Sequence, residues 1–485
     1  MKLLPLENNY DSFLSDESYL RGKAEFIVFP STREELAESI KTSKSRELRA
    51  TIQGSRTGIV GGAVPQKGLI ISLRDLSGIS DLYENNGRRF MRVRAGTTLD
   101  QIDKLAASVS CFFPPNPTEV TATIGGMYSS GSAGPSSLLY GRSSDFIESV
   151  TWITASGEIW EIERGKFIFG DTGCTMPGGS QFQISDPPFA IPLASCVPRK
   201  GLDLIDFLSG NEGKLGVAYE FTLALSPLPS DIWGVFFFFD NNKASMAFAE
   251  TLSELRSKRS NFKPLCAEYY DSSSLKLLKT EKAQNSSNKE IPSLPADMSS
   301  AIYLELSGDN EQELELVLSE LLDTFSEAGG KENDTWVTHG LDNMRGFRAL
   351  RHALPEASGR RYASANSTVR RLETDFTGPQ DKFAEYISMY REGIDYLGID
   401  GIIYGHILKN SLHCSLFCNS EENYDAASIM IRSWALKTIA DGGFIVSENG
   451  IGRLKSELVE ELLPHESKKA RDDIRNFFDA DRLFG

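Results

Sequence analysis

The chain has 485 residues, 40% hydrophobic and 24% charged, which is enough apolar sequence for two or more ordinary globular domains. Its formal net charge of −16 argues against nucleic acid as a partner, because nucleic-acid binding favours a basic surface. The six cysteines form no Cys-x-x-Cys pair, so iron–sulfur and structural zinc sites gain little support, and a reducing, cytoplasmic compartment is expected. The longest apolar run, residues 232–239, is far shorter than the roughly 20 residues of a membrane span, although peripheral membrane attachment stays open.

The chain alternates short apolar segments with amphipathic ones. Periodicity and capping residues predict strands over residues 26–29, 48–52, 68–73 and 90–95, helices over residues 33–43 and 98–107, and a hairpin of residues 149–154 and 159–162. Residues 166–200 are rich in glycine and proline and predict a long ordered loop or lid. After a proline-rich break at residues 226–230, strands alternate with longer helices, which predicts a separate α and β layer.

A glycine-rich loop separates the second and third predicted strands. It contains Gly54, Gly58, Gly61 and Gly62, and its backbone N–H groups can approach an anion such as a phosphate. The spacing fits neither the Walker pattern nor the dinucleotide fingerprint, since a strand follows where a helix is required. A mobile surface turn is an equally good interpretation of this loop alone. Two further segments of small residues, 121–134 and 208–216, favour close backbone contact with a ligand.

Two of the five histidines, His406 and His413, stand six residues apart in a stretch that predicts a tight turn between two strands. Glu448 follows in a later segment that contains glycine. Two imidazoles and a carboxylate can hold a divalent cation with open positions. Such a set also arises often by chance, so these residues alone favour a purely structural role.

Six motifs in a fixed order carry a family resemblance. They are Gly54-Ser-Arg-Thr-Gly-Ile-Val-Gly-Gly-Ala-Val-Pro65, Thr123-Ile-Gly-Gly-Met127, Tyr140-Gly-Arg142, Gly210-Asn-Glu-Gly-Lys-Leu-Gly216, Gly405-His-Ile with Leu412-His413, and Ser447-Glu-Asn-Gly-Ile-Gly-Arg-Leu-Lys455. From about residue 26 to the end, the chain resembles FAD-linked oxidoreductases of the D-2-hydroxy acid dehydrogenase (D-lactate dehydrogenase or glycolate oxidase) type. This type belongs to the vanillyl-alcohol oxidase, or PCMH, superfamily.

The resemblance implies an α+β fold with four parts. These are an N-terminal extension (1–20), a PCMH-type FAD-binding domain of two α+β subdomains (21–228), an α/β substrate or cap domain with an antiparallel sheet (229–440), and a segment that returns to the FAD domain (441–485). It also implies the FAD contacts, which are Gly54, Ser55, Arg56, Thr57, Gly58, Gly61, Gly62, Thr118, Thr123, Gly125, Gly126, Ser130, Gly131 and Val217. Some relatives tether flavin covalently through a histidine in the glycine loop. Position 56 is arginine here, so we expect non-covalent FAD.

The resemblance further implies how a substrate acid would bind. His406, His413 and Glu448 match the positions that hold a divalent metal such as Zn or Mn, to which the hydroxyl and carboxylate of the substrate bind. Arg351 and Arg371 match positions that clamp carboxylates, work that suits the planar fork of arginine. A surface ion pair is the alternative role for each arginine.

The sequence departs from the family pattern at residues that are expected to take part in the reaction. Asn449 stands where the usual general base is a histidine, and asparagine cannot accept a proton near neutral pH. Lys409 adds a cation close to the predicted metal ligands. We expect hydride transfer from a small 2-hydroxy acid such as D-lactate, glycolate or D-2-hydroxyglutarate to flavin N5. The alternative is a flavoprotein subunit of an electron-transfer complex whose acid-oxidising site has diverged.

The sequence does not identify the electron acceptor. An electron-transfer flavoprotein, a partner subunit and O₂ all stay open, as does assembly into a homodimer.

Overall fold

The computed structural model describes residues 2–115, 117–183, 197–284, 290–364 and 371–485. The chain divides into two compact units. Unit 1 comprises residues 1–134, 141–228 and 448–485, and unit 2 comprises residues 135–140 and 229–447. No helix in the described ranges is both long and apolar enough to cross a bilayer.

Twelve strands come before residue 228 and eight after it, in the described part of the chain. The first twelve are β1 Leu4–Pro5, β2 Phe26–Val28, β3 Ala50–Gln53, β4 Leu69–Ser72, β5 Ile79–Asn85, β6 Arg88–Arg94, β7 Cys111–Phe112, β8 Ile147–Ile153, β9 Ile159–Glu163, β10 Gly173–Thr175, β11 Gln181–Gln183 and β12 Val217–Pro227. The others are β13 Asp231–Phe239, β14 Pro264–Asp271, β15 Ser300–Gly308, β16 Thr335–His339, β17 Leu372–Glu373, β18 Phe376–Thr377, β19 Asp400–His406 and β20 Ser411–Phe417.

The α-helices of the described residues are, in chain order, α1 Arg33–Ser45, α2 Leu99–Ala107, α3 Ile124–Ser130, α4 Ser137–Tyr140, α5 Leu204–Leu208, α6 Asn242–Lys258, α7 Ser272–Gln284, α8 Glu311–Glu327, α9 Arg345–Ser364, α10 Phe383–Leu397, α11 Glu421–Ala440, α12 Ser456–Leu462 and α13 His465–Phe478.

Unit 1 contains a small, mainly parallel sheet with the strand order β1-β2-β4-β3. Helix α1 follows β2 and begins after its N-cap Thr32, whose side chain accepts the N–H of Glu35. Its buried face carries Leu36 and Ile40, at the four-residue spacing of one helix side. Residues 483–485 pair with Ala50 at the edge of β3, so the C-terminal residues extend this sheet.

A second, antiparallel sheet of unit 1 has the order β5-β6-β12-β8-β9, and β7 also pairs with β12. Helix α2 begins with a capping box in which Thr98 and Gln101 satisfy each other's backbone N–H groups. The core of this unit includes the fully buried Trp152 and Phe221. Two sheets, each with helices, agree with the predicted pair of α+β subdomains.

Unit 2 is built on one eight-stranded antiparallel sheet with the order β16-β13-β15-β14-β19-β20-β17, with β18 also paired to β20. On one face Phe236 stacks on Tyr303 and contacts Phe347 of α9. On the other face Phe237 contacts Phe248 of α6 and Phe325 of α8. The continuous apolar run in β13 is therefore explained by helices on both faces, and the predicted antiparallel sheet is confirmed.

The structure corrects one sequence interpretation and gives a packing reason for the small residues of another segment. The stretch predicted as an irregular loop or lid contains the β10–β11 hairpin, and residues 184–196 of that stretch lie outside the described residues. The small-residue segment after residue 121 contains helix α3, in which Gly125 packs so closely on Ala95 that an added Cβ would lie 2.9 Å from the Ala95 carbonyl oxygen. Packing in both cases overrides weak local propensity.

Candidate functional site

The first and second glycine segments meet within unit 1. The hydroxyl of Ser55 donates to the carbonyl oxygen of Thr121 at 2.6 Å. A Cβ at Gly54 would lie 2.3 Å from Oγ1 of Thr123, so this position requires glycine for close approach. Thr123 is the N-cap of α3 and accepts the N–H of Gly126. The predicted cofactor residues of the two segments are thus brought together.

The third glycine segment contacts the second one. Gly210 and Glu212 donate their backbone N–H groups to the carbonyl oxygens of Tyr128 and Ser129 at 2.8 and 2.7 Å. Gly131 ends α3 in the left-handed conformation, and an added Cβ there would lie 3.4 Å from the Cα of Gly210. The segment then enters β12 at the buried Val217, while the half-buried Thr118 precedes the second segment.

The C-terminal motif also packs onto these glycine segments. The backbone N–H groups of Arg453 and Leu454 donate to the carbonyl oxygen of Val60 in the first loop, at 2.8 and 3.0 Å. Glu212 accepts the N–H groups of Ile451 and Gly452. Four motifs that are far apart in the sequence therefore converge within one unit, which includes Glu448 and Asn449.

The first loop fits a large anionic cofactor. A Cβ at Gly58 or Gly62 would meet no other atom within 4 Å, so the described residues leave open space beside this backbone. Arg56 adopts a left-handed conformation, with a φ of 63°, and its guanidinium lies 4.3 Å from the ring centre of Phe13. Position 56 therefore offers a cation beside the loop and no histidine for a covalent flavin bond. Thr57 and Gly61 complete the turn, Gly61 with a φ of 79°.

In unit 2 the predicted histidines lie on adjacent strands. His413 of β20 is directly opposite Tyr404 of β19, and His406 is opposite Ser411, so the two histidines are diagonal neighbours. Diagonal neighbours have Cβ atoms about 7–8 Å apart. On the other side of β19, His406 is directly opposite Glu268 of β14. The predicted tight turn between two strands is confirmed.

Each imidazole is held through Nδ1. Nδ1 of His413 lies 3.2 Å from the carbonyl oxygen of Thr374, and Nδ1 of His406 lies 3.3 Å from Oε1 of Glu268. A carbonyl oxygen only accepts hydrogen bonds, so Nδ1 of His413 is the donor. The ionised carboxylate of Glu268 also only accepts, so Nδ1 of His406 is the donor as well. In the neutral form, both Nε2 atoms then carry lone pairs. This is the arrangement in which histidine binds a metal or accepts a proton.

The predicted carboxylate clamp Arg351 lies on the same face of the sheet. Its Nε donates to Oε1 of Glu268 at 2.9 Å, and the two side chains are only 10% and 6% exposed. Burial alone would raise the pKa of Glu268, but His406 and Arg351 outweigh it and hold that pKa well below its usual range. Glu268 thus joins a predicted metal ligand to a predicted substrate ligand.

Arg371, the second predicted clamp, is held in a similar pair with Glu373. Burial would raise the pKa of Glu373, but Arg371 and His413 lower it to about 2. The sequence analysis missed both glutamates. For Glu268 the available signal was an acidic residue in the middle of the apolar strand β14, because an acidic side chain is almost never fully buried without a partner.

The predicted metal ligands are distributed over both units. In the described part of the chain, no group of three or more His, Cys, Asp or Glu side chains is placed to hold a metal ion. His406 and His413 belong to unit 2 and Glu448 to unit 1. Within unit 2, Nζ of Lys409 donates to the hydroxyl of Ser137.

Comparison with known proteins agrees with the two parts of the site. The family model described as "FAD binding domain" matches residues 24–163, and the model "FAD linked oxidases, C-terminal domain" matches residues 230–485. A D-lactate dehydrogenase of Anaerostipes hadrus is 24% identical over 98% of this chain and 91% of the relative. The glycolate oxidase subunit GlcD of Bacillus subtilis is 23% identical over 94% of this chain and 88% of the relative.

Solved structures show the same fold at lower identity. The 4-ethylphenol oxidase from Gulosibacter chungangensis, in its isoeugenol complex, superposes with a TM-score of 0.69 at 13% identity, covering 99% of this chain and 92% of that chain. An alkyldihydroxyacetonephosphate synthase gives a TM-score of 0.64 at 14% identity, covering 96% of this chain and 77% of that chain. These neighbours confirm the predicted PCMH-type fold.

The fold and the converging glycine segments define a flavin-dependent oxidoreductase. The chain belongs to the FAD-linked oxidases, and it is similar to relatives of the D-2-hydroxy acid dehydrogenase type. It is an oxidoreductase that acts on CH–OH groups, and its cofactor is FAD.

Proposed function

We propose that this protein oxidises a small 2-hydroxy acid of the D-lactate or glycolate kind by hydride transfer to flavin N5. The observation that carries the proposal is the pair His406 and His413, which are diagonal neighbours on adjacent strands and are each held through Nδ1. Arg351 on the same face supplies guanidinium N–H groups for a carboxylate beyond the one that contacts Glu268. Curated relatives named D-lactate dehydrogenase and glycolate oxidase support the reaction class.

The arginine and the pair of histidines have separate parts in this proposal. Arg351 binds and orients the substrate carboxylate. His406 and His413 contact the substrate hydroxyl directly or hold a divalent ion such as Zn or Mn. Such an ion would lower the pKa of a bound hydroxyl. Bound FAD would supply the hydride acceptor, held without a covalent bond because position 56 is arginine.

The proton of the hydroxyl needs an acceptor other than Asn449, since an amide is not a base near neutral pH. His413 is suited to this role, because its Nδ1–H is committed to the carbonyl oxygen of Thr374 and its Nε2 is then basic. An imidazole that serves as a metal ligand cannot also be the base. Elemental analysis of the purified protein separates the two roles of this residue.

A second candidate function is a flavoprotein subunit of an electron-transfer complex with a diverged acid site. The observation that favours it is that both predicted clamps, Arg351 and Arg371, already have buried glutamate partners. The electron acceptor would be an electron-transfer flavoprotein, a partner subunit or O₂, and a cytoplasmic location is proposed for either function. Homodimer formation is part of neither proposal and is testable by light scattering.

Anaerobic mixing of the FAD-loaded protein with D-lactate, glycolate and D-2-hydroxyglutarate tests the proposal. Loss of the visible flavin absorbance with any of these acids supports an acid-oxidising enzyme. Flavin that dithionite reduces, but that none of a wide panel of 2-hydroxy acids reduces, supports the electron-transfer subunit. Added Zn or Mn in parallel samples shows whether a metal is required.

A further inference from the structure

Arg371 is engaged by a buried carboxylate. Its Nε and one Nη donate to Oε2 of Glu373 at 2.9 and 2.6 Å, and the two side chains are 5% and 7% exposed. The guanidinium also lies 5.3 Å from the ring centre of Tyr362. Because removing one partner of a buried ion pair leaves an uncompensated charge, Arg371 cannot turn toward a second anion at low cost.

Glu373 is satisfied on both of its oxygens. Oε1 accepts the hydroxyl of Tyr404 at 2.8 Å and that of Ser415 at 3.0 Å, while Oε2 accepts the Arg371 fork. Four donors from described residues fix the charge and the position of this carboxylate. Tyr404 is directly opposite His413, so the Arg371–Glu373 pair borders the imidazoles of the proposed substrate site.

Two other arginines on this face, the partly exposed Arg348 and the buried Arg351, are balanced in the same way. Arg348 donates to Glu305 through Nε and Nη at 3.1 and 2.7 Å, and Arg351 donates to Glu268. Among the described residues of this sheet face, these arginines and Arg371 each have a glutamate partner. A single substrate carboxylate can use the remaining N–H groups of Arg351. A second carboxylate would find its expected cation already neutralised.

We infer that Glu373 determines the substrate class: by holding Arg371, it restricts the site to 2-hydroxy monocarboxylates and disfavours 2-hydroxy dicarboxylates. This inference deepens the proposed function and rests on it for the location of the site. It predicts that D-lactate and glycolate are accepted in preference to D-2-hydroxyglutarate. Glu373 acts here through Arg371 and does not touch the reacting atoms.

Calorimetric titration of the FAD-loaded protein with two redox-inert probes, propionate and glutarate, tests the inference without turnover. Wild-type protein is expected to bind propionate more tightly than glutarate. Glu373→Gln keeps the shape and removes the charge, which frees the Arg371 cation. It is expected to tighten glutarate binding by about tenfold or more, the strength of a charged hydrogen bond, and to change propionate binding much less.

Two further variants separate specificity from stability. Glu305→Gln removes a buried carboxylate that also holds an arginine fork and a tyrosine hydroxyl, so it is the matched control and should keep the wild-type preference. The double variant R371Q/E373Q should lose the glutarate gain, because the freed cation is absent. If Glu373→Gln does not fold, the wild-type protein still tests the inference, since it should bind propionate more tightly than glutarate.

Three results overturn the inference. They are equal binding of both probes by wild type, an unchanged preference in Glu373→Gln, and a glutarate gain that persists in R371Q/E373Q. Flavin reduction by D-lactate and by D-2-hydroxyglutarate is measured in parallel. If neither acid reduces the flavin of any variant, the proposed function fails, and the calorimetric preference still decides the inference about Glu373.

Discussion

Glu212 and Ile451 are 239 residues apart in the sequence, yet Oε1 of Glu212 accepts the backbone N–H of Ile451 at 2.6 Å. The same oxygen accepts the N–H of Gly452 at 2.7 Å, and Lys214 donates to the other oxygen at 2.6 Å. Burial would raise the pKa of Glu212, but Lys214 and the two backbone N–H groups outweigh it and lower that pKa. This carboxylate fixes the C-terminal motif to the third glycine segment.

Replacing Glu212 with alanine is expected to lower the free energy of unfolding by about 2 kcal/mol, because two backbone N–H groups lose their acceptor. A carboxyl group with a lowered pKa in the folded state stabilises the protein above its unfolded pKa. That stability is lost as the pH falls through the folded pKa. Denaturant unfolding at neutral and at acid pH should therefore show a larger difference between wild type and Glu212→Ala at neutral pH.

The matched control for Glu212 is Glu84, which pairs with Arg89 at 3.6 Å at the surface of the same unit. Exposed pairs contribute little, so Glu84→Ala should change the free energy of unfolding by less than about 0.5 kcal/mol. Equal effects of the two substitutions would contradict the anchoring role of Glu212.

Gly58 provides a test of cofactor binding that is independent of the fold. A Cβ there meets no other atom, and its φ is outside the left-handed region, so Gly58→Val should leave the melting temperature of the cofactor-free protein nearly unchanged. The side chain would enter the space assigned to FAD, and FAD affinity should fall by more than about tenfold, or 1.4 kcal/mol. Fluorescence titration with FAD measures this loss.

Gly54→Val is the contrasting variant, because its Cβ would lie 2.3 Å from Oγ1 of Thr123. It should destabilise the cofactor-free protein as well as weaken FAD binding. Wild-type FAD affinity in Gly58→Val would show that the cofactor does not approach this part of the loop.

Asn449→His should increase the rate of flavin reduction by the preferred acid. An imidazole can accept the hydroxyl proton near neutral pH, and a positioned general base contributes about a hundredfold or more. Stopped-flow absorbance under anaerobic conditions measures this rate. Asn449→Gln, which keeps an amide, is the control and should give no increase. If the histidine variant is no faster than this control, Asn449 does not occupy the position of the base.

Asp103 of α2 should make unit 1 less stable at alkaline pH. Burial, with a smaller contribution from Asp100, raises its pKa from 3.8 to about 7. Its stabilising contribution is therefore complete below pH 3.8 and is lost as the pH rises through about 7.

Asp103→Asn should raise the free energy of unfolding at about pH 8 by about 1–2 kcal/mol, a value reduced for partial solvent exposure. Near pH 4 the variant and the wild type should differ little. Denaturant titrations across this range provide the measurement, and a pH-independent difference would contradict the shifted pKa.

Local sequence signals predicted many of the elements. Thr32 caps a helix that ends within two residues of its predicted limit, and β8 and β9 pair as the predicted hairpin. Helix α9 was not predicted, because Pro355 interrupts its pattern. It forms because Leu350, Leu354 and other apolar residues of the helix are buried in the core of unit 2. Such tertiary packing is not visible in a local window.

The sequence predicted the histidine pair of the candidate site, but it did not predict the glutamates that pair with the charged side chains there. His406 and His413 are close in the chain, so their strand–turn–strand geometry could be predicted. The partner of His406, Glu268, comes from a distant strand, and no local pattern pairs them. The Arg371–Glu373 pair had a local signal, since residues two apart on a strand share a face. The family resemblance assigned Arg371 to the substrate, so the local signal for an ion pair was not used.

Anaerobic reduction of the FAD-loaded protein by D-lactate and glycolate tests the central claim most directly. The account predicts that at least one of these monocarboxylates bleaches the visible flavin absorbance within a single turnover and yields the corresponding 2-oxo acid in an amount equal to the flavin. Flavin that stays oxidised with every 2-hydroxy acid, while dithionite reduces it fully, would contradict the claim that this protein oxidises 2-hydroxy acids.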